Sequence, residues 1–390
     1  MTLLKLALRN TIGAGTRTWL NVIVLSFSFV AIIWSQGLYE GVGAQVADAV
    51  TAAEIGGGQY WHANYDPFDP LTLQDAHGPL PAPLSDLVAR GAATPVLVTQ
   101  GSIYPGGRIQ PVLLKGIDPA QKVLTLPSAF LAAPEEDMPA LIGSRMAQNT
   151  GLKAGDYVTV QWRDVHGTFD AREAHIVQVM NTVVQSIDNG QVWLPLDRLQ
   201  ALTGMPGEAT LVTIGRKTPR LDAVPGWNFK APAFLLKDIR DVIRAKSVGS
   251  SVMFAILLFL AMLAIFDTQV LSVFRRRREM GTLMALGMTR WRIIRLFTLE
   301  GALYGVLAAL VGAVYGIPLL VFSATHGFGT PPGTEGMGYA IGERIYPAYG
   351  AGLIVGTTVL VLIVTTIVSY LPTRRIARLR PTDALRGRFS

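Results

Sequence analysis

The stretch RRRREMGTLMALGMTRWRIIRLFTLEG, from Arg275 to Gly301, joins two long apolar parts of the chain. It follows the run MFAILLFLAMLAIF, opens with four arginines, and continues with apolar residues separated by glycine. Arginines beside an apolar run place the end of a membrane helix at the lipid headgroups. The stretch therefore predicts a short connection held at one membrane surface between two spans.

Composition also indicates a membrane protein. Only 16% of the 390 residues are charged, the mean hydropathy is +0.37, and there is no cysteine. Soluble domains usually carry about 25% charged residues. A span needs about 20 apolar helical residues, and four windows meet that length: Trp19–Gly37, Val248–Val273, about Leu299–Phe322 and about Tyr349–Leu371. The first window is longer than the apolar core of a signal peptide and has no small-residue cleavage site, so we expect it to be a permanent span.

The distribution of charge predicts the orientation. Three flanking segments, residues 1–18, 274–298 and 371–390, hold sixteen of the 34 basic residues and two of the 27 acidic ones. Basic segments that flank spans lie in the cytoplasm. We therefore expect both termini in the cytoplasm and the segment between the first two spans on the far side. The pI near 9.7 reflects these membrane-flanking arginines, so nucleic acid is not an expected partner, and the lipid bilayer is.

The far-side segment, residues 42–246, predicts an α+β domain of two lobes. Alternating apolar residues favour strands in TPVLVTQGSIY, QPVLLKGID, AHIVQVMNTV and QVWLPL. LIGSRMAQNTGLKAGDYVTVQW predicts a helix, a turn and a strand, and LDRLQALTG a short helix ended by Gly204. YPGGRIQP, Tyr104–Pro111, is read as a hairpin turn rather than a hook for a carrier protein. We therefore expect three parts: the N-terminal segment with the first span at 1–41, the far-side domain with its stalk at 42–246, and the other three spans with the C-terminal tail at 247–390.

A stalk helix is predicted where this domain meets the second span. Ala233–Lys246 has helical periodicity and runs into the span, which would give a helix of about 40 residues and 60 Å. A break near Ser247–Ser251 is the alternative. The third span is rich in Gly and Ala, which suits close packing of helices in lipid; a glycine-rich span without a special partner is the other reading.

Motifs that carry catalytic chemistry do not occur. The chain has no GxxxxGK[ST] phosphate loop, no HExxH and no GxSxG, and its five histidines are scattered. We expect a non-catalytic chain without a metal or cofactor of its own. The intramembrane polar residues are Asp267 and Glu300. An acid within a span is a functional candidate, but Asp267 lies near the cytoplasmic end, where it could instead snorkel or pair with an arginine.

The connection itself predicts two helices. Glu279–Leu286 can form a short one, with Gly287 ending it and Thr289 capping the next. Trp291 is expected to anchor that second helix at the interface. We expect the short helix to present Met280, Leu283, Met284 and Leu286 to the cytoplasm. Docking into a groove of a cytoplasmic partner and a helix lying on the membrane both remain open. The basic residues expected at the headgroups are Arg275, Arg276, Arg277, Arg278, Arg290, Arg292 and Arg295.

The stretch resembles the signature of the FtsX-like family of ABC transporter permeases, which includes MacB-type exporters and the LolC/LolE-type lipoprotein-releasing subunits. The family pattern is a basic run, Glu-[Ile/Met]-Gly, a residue pair, Arg-Ala-Leu-Gly, a second basic stretch and Glu-Gly. Matching residues here are Arg276, Arg277, Arg278, Glu279, Gly281, Ala285, Leu286, Gly287, Glu300 and Gly301. Met284 stands where the family often has arginine. LALRN near the N-terminus, RRIARLRPTDALR near the C-terminus and LIGSRMAQNTGLKAGDYVTV in the outer domain are also similar to the family.

The resemblance implies that residues 279–287 form a coupling helix seated in a groove of a separate cytoplasmic ATPase dimer, which would bind the ATP and Mg²⁺. It implies a second permease chain, identical or not, in a bacterial inner membrane, with the large domain in the periplasm and a carrier or adaptor as a further candidate partner. Three functions are compatible with it. We rank extraction of lipoproteins or lipophiles first, a tripartite efflux pump for peptides or drugs second, and an FtsX-like regulator of cell-wall hydrolases third.

Overall fold

The computed structural model describes residues 7–9, 13, 15–132, 138–182, 184–329 and 344–376. The chain divides into two compact units. The helical unit contains residues up to Val42, Val242–Phe328 and the residues from Ile345 onward. The sheet unit contains Gly43–Asp241 together with Gly329 and Arg344.

Four helices are long and apolar enough to cross a membrane, which confirms the four predicted spans. They are α1 (Thr16–Val50), α7 (Lys237–Arg275), α9 (Arg290–His326) and α10 (Ala351–Ile376), and the short α8 (Arg277–Ala285) lies between α7 and α9. Helix α7 is continuous through Ser247–Ser251, so the alternative of a break there is wrong. It begins at Lys237, however, because a separate turn of helix, α6 (Pro232–Leu235), precedes it. The RRIARLRPTDALR motif continues beyond the described residues.

Helix α9 packs against α10 and α1 through glycines. A Cβ placed on Gly301 would lie 2.0 Å from Ser369 Oγ, and one on Gly305 would lie 2.7 Å from Thr365 Oγ1. Further along α9, a Cβ on Gly316 would lie 2.7 Å from Val30 of α1. These contacts leave no room for a side chain, so the glycine-rich third span does have specific partners.

Among the described residues, the sheet unit contains eleven of the strands and five short α-helices, α2 to α6, of which α6 was given above. The strands are β1 (Gly58–His62), β2 (Gly78–Pro79), β3 (Ala93–Ile103), β4 (Gln110–Ile117), β5 (Pro139–Gly143), β6 (Tyr157–Arg163), β7 (Phe169–Met180), β8 (Gln191–Pro195), β9 (Glu208–Ala209), β10 (Leu211–Ile214) and β11 (Trp227–Lys230). The helices are α2 (Ala82–Ala89), α3 (Ser144–Thr150), α4 (Gln185–Gly190) and α5 (Leu196–Thr203). Outside the unit's main sheet, β12 (Phe328–Gly329) pairs with β13 (Arg344–Ile345).

One continuous sheet runs through nine of these strands in the order β11-β1-β10-β3-β4-β8-β5-β7-β6. The end of β3 also pairs with β6, from Gly101↔Trp162 to Ile103↔Val160, and this closes six strands into a barrel. A Cβ on Gly101 would lie 2.7 Å from Leu114 and 2.8 Å from Gln161 O, so a glycine is needed where β3 contacts both neighbours.

Two separate cores lie on this one sheet. The barrel is filled by residues such as Leu114, Trp162 and Ile176. The extension β10-β1-β11 packs Tyr60, Val212 and Trp227 against α2. The sheet-rich domain predicted between the first two spans is confirmed, and within this one compact unit the two cores share strand β3. The strands expected around residues 94–104, 110–118, 174–183 and 191–196 are present, as is the β3–β4 hairpin. Leu141–Gly143, expected to start a helix, instead belongs to strand β5.

The opposite face of the sheet carries buried polar residues and meets the end of the first helix. Strand register places Gln59, Thr213 and Thr94 side by side, with Lys115 beside Trp193 further along the face. The helix continues past Val50 as a π-helical turn, Thr51–Ile55, whose Glu54 forms an ion pair with Lys115 and accepts a hydrogen bond from Gln191 Nε2 at 3.1 Å. Four buried atoms on this face have no hydrogen-bond partner among the described residues: Thr94 Oγ1, Thr213 Oγ1, Gln191 Oε1 and Trp193 Nε1.

Candidate functional site

The candidate site is the connection between α7 and α9, built around helix α8. Helix α8 ends in a Schellman motif, in which Met288 N–H donates to Leu283 O at 2.9 Å and Gly287 N–H donates to Met284 O at 3.0 Å. Gly287 has φ +92°, a conformation in which a Cβ is strained. The sequence-predicted helix and its glycine stop are therefore confirmed, and the turn direction after α8 is fixed.

Arg276 links α8 to α9 through two carboxylates. Its Nε and Nη2 donate to Glu279 Oε2 and Oε1 at 2.7 and 2.8 Å, and its Nη1 donates to both oxygens of Glu300 at 2.8 and 3.1 Å. The guanidinium also lies 4.8 Å from the ring centre of Phe297. One planar group thus binds a carboxylate from each helix, a geometry that a lysine could not reproduce.

The two carboxylates differ in exposure. The Glu300 side chain is 7% exposed and the Glu279 side chain 49%. The hydrogen bonds with Arg276 lower the pKa of Glu279, and partial burial opposes this. Hydrogen bonds to Glu279 raise the pKa of Arg276, an effect to which Glu300 adds and which burial opposes. Both shifts favour the charged forms, so the bridge is ionised at neutral pH.

Met280 anchors α8 from its other side. It is 3% exposed and packs with Ile293 and Phe297 of α9, while Leu283, Met284 and Met288 pack against this cluster half-buried. The expectation that Met280 faces the cytoplasm is therefore wrong. Its apolar side chain holds α8 against α9. The local sequence pattern is the same for an inward-facing and an outward-facing methionine, so it could not distinguish the two.

The exposed end of α8 is formed by Ala285, Leu286 and Gly287. Leu286 is 80% exposed, which is unusual for a large apolar side chain held in a fixed turn. Gly281 is buried. Of the residues predicted to dock a partner, the structure thus brings Leu286 to the surface and uses Met280 as an internal contact.

Apart from Arg276, the residues predicted to lie at the headgroups are exposed wherever the structure describes their side chains. Trp291 is 51% exposed, and the Arg295 guanidinium lies 5.4 Å from its ring centre. The side chains of Arg275, Arg290 and Arg292 are also exposed, whereas those of Arg277 and Arg278 are outside the described part of the chain. Thr289 occupies the N-cap position of α9, but its side chain makes no capping hydrogen bond, so the expected side-chain cap is wrong.

The two intramembrane acids behave differently. Asp267 is exposed on α7, and no arginine lies within ion-pair distance of it among the described residues. Glu300 is buried and bound to Arg276. Sequence reasoning named Glu300 but missed its partner. The signal for the pair is a carboxylate within an otherwise apolar span, 24 positions after an arginine at the end of the preceding helix.

Among the described residues, four membrane-length helices, a sheet-rich unit between the first two and a braced helix between the second and third indicate a multi-span membrane protein. Residues 251–381 match the FtsX-like permease C-terminal family. The chain is also similar to an uncharacterized ABC transporter permease of Methanocaldococcus jannaschii, at 29% identity over 154 residues. That alignment covers 39% of this chain and 36% of the relative, so the chain spans about a third of that relative's length. With the match at residues 251–381, this similarity supports the FtsX-like ABC permease family for the chain.

Proposed function

We propose that this chain is the membrane subunit of an ABC transporter and that α8 is the element that docks on its ATPase. Leu286 carries the proposal. It is exposed at the end of a helix whose position is fixed by Arg276 and by Met280, so it is a preorganised apolar anchor. The family match at residues 251–381 supports an ATPase as the partner and a dimeric permease.

The test is co-purification of the ATPase with full-length variants in mild detergent. Leu286→Asp should reduce the bound ATPase at least about tenfold, because it places a charge in an apolar contact. Phe130→Asp is the matched control, since Phe130 is 55% exposed but belongs to the sheet unit, and it should leave ATPase binding unchanged. Equal ATPase recovery with Leu286→Asp and with the unchanged chain would disprove docking at α8.

For the transported material we propose a lipoprotein or another lipophile taken from the membrane. The large sheet unit between the first two spans and the continuous helix α7 leading from it into the membrane support this proposal. Native mass spectrometry of the complex tests it. A co-purifying acylated protein is the expected result. Two copies of this chain with an ATPase dimer and an adaptor protein, and no acylated species, would contradict it and favour an export pump.

A further inference from the structure

A second pair of exposed apolar side chains lies in the sheet unit, in the loop Asp66–Thr72, here called the apolar tip. Phe68 is 79% exposed and Leu71 is 84% exposed. Within the described residues, only Leu286 and Val314 among the large apolar side chains are comparably exposed. Val314 belongs to a membrane span and Leu286 to the proposed ATPase contact, so both have an apolar environment assigned to them. Phe68 and Leu71 do not.

The apolar tip is rigid. Asp66 Oδ1 accepts a hydrogen bond from Phe68 N–H at 2.9 Å, and Asp69 Oδ1 accepts one from Leu71 N–H at 3.0 Å. Gln100 Nε2 donates to Pro70 O at 2.9 Å, which ties the tip to strand β3. These three hydrogen bonds hold the backbone of the tip, so both exposed side chains are carried on an ordered turn. An ordered turn loses less conformational entropy on binding, and such preorganisation is typical of residues that anchor a binding interface.

The surroundings of the tip are acidic. Asp66, Asp69 and Asp75 are all exposed, and the sequence contains no lysine or arginine from residue 18 to residue 89. An open cleft of about 470 Å³ adjoins the same segment. Arg163 also lines this cleft and keeps its positive charge, because its hydrogen bonds go to the neutral Gln74 Oε1 and Gly167 O. The three exposed aspartates outnumber this cation, so the surroundings of the two apolar groups are negative on balance.

We propose that the apolar tip docks a protein partner that has an apolar socket rimmed by basic residues, on the side of the membrane where the sheet unit lies. Charge complementarity selects this occupant. An anionic lipid surface would repel the three aspartates, and a symmetric contact between two copies of the tip would bring like charges together. The proposal goes beyond the transporter function and does not depend on ATPase docking at α8.

Photo-crosslinking of the full-length chain in cells that naturally express it is the first test. Benzoylphenylalanine replaces Phe68 or Leu71, and in separate chains it replaces Phe130 as a control or Leu286 as a test of ATPase docking. We expect residues 68 and 71 to give the same protein adduct and residue 130 not to give it. Adducts at 68 and 71 only with lipid or with a second copy of this chain would overturn the proposal. The result at residue 286 reports separately on the proposed function.

The protein identified by its adduct is then purified and titrated against the full-length permease in detergent. Phe68→Ser/Leu71→Ser should weaken binding at least about tenfold, while Phe130→Ser should not. Asp75→Lys should weaken binding severalfold at low salt and much less at high salt, because exposed charges are screened. Unchanged affinity of the Phe68→Ser/Leu71→Ser chain, or no binding by the unchanged chain, would disprove the proposal.

Discussion

At the scale of single residues, Arg276 decides where α8 lies. Its guanidinium binds Glu279 on α8 and Glu300 on α9 at the same time. Glu300 is almost fully buried, and a buried charge without a partner is costly. Arg276 therefore contributes to compensating the buried charge of Glu300, and in doing so it holds the first turn of the proposed docking helix.

A double-variant cycle tests this role. Arg276→Met removes the cation that donates to both oxygens of the buried Glu300 and should lower the free energy of unfolding by about 3 kcal/mol. Arg276→Met/Glu300→Gln should recover much of that loss, because the uncompensated charge is gone. Thermal unfolding in detergent measures both. If the double variant is less stable than Arg276→Met alone, by about the cost of Glu300→Gln, the two residues act independently and the bridge is not the cause.

Residue-scale prediction from the sequence succeeded for Gly287 and failed for Met280. A glycine after a short helix has one dominant structural meaning, a left-handed stop. A methionine on a short helix can face a partner or a neighbouring helix, and the local pattern is the same for both. The choice depends on Ile293 and Phe297, which belong to the next helix.

At the scale of elements, the glycines of α9 set how closely it approaches α10. Gly305→Val places a side chain where Thr365 Oγ1 lies 2.7 Å from the new Cβ, so the helices must separate. We expect a loss of about 1–3 kcal/mol, which is typical of overpacking. Gly356→Val on α10 is the matched control, because no atom lies within 4 Å of its Cβ position. Equal unfolding temperatures for the two variants would show that the glycine contact does not limit stability.

Elements of the sheet unit were predictable to different degrees. The long strands around β3, β4 and β7 were found from their apolar alternation. Strands β1, β10 and β11, of four or five residues each, were missed, although β8 of the same length was found. Barrel closure was also missed. It depends on the pairing of β3 with β6, about 60 residues apart, and no local pattern specifies such a pairing.

At the scale of the whole molecule, the uneven distribution of arginine predicts the topology. Reporter fusions test it directly. A fusion at residue 150 should report the periplasm, and one at residue 285 should report the cytoplasm, because basic segments remain inside. A cytoplasmic reporter at residue 150 would reverse the orientation, and it would also place the α8 end and the ATPase on opposite sides of the membrane.

The unpaired polar atoms beneath the π-helical turn have a consequence for the whole chain. A buried group without a partner regains hydrogen bonds with water when it is uncovered. If the helix end separated from this face of the sheet, water could hydrogen-bond to the unpaired atoms of Thr94, Thr213, Gln191 and Trp193. These new hydrogen bonds would offset part of the free energy that the separation requires. Exposing an apolar contact of the same area would form no such hydrogen bonds with water. Within the sheet unit, the π-helical turn is thus held on this face by the Glu54–Lys115 ion pair, while part of the polar surface that it meets gains no hydrogen bond from the contact.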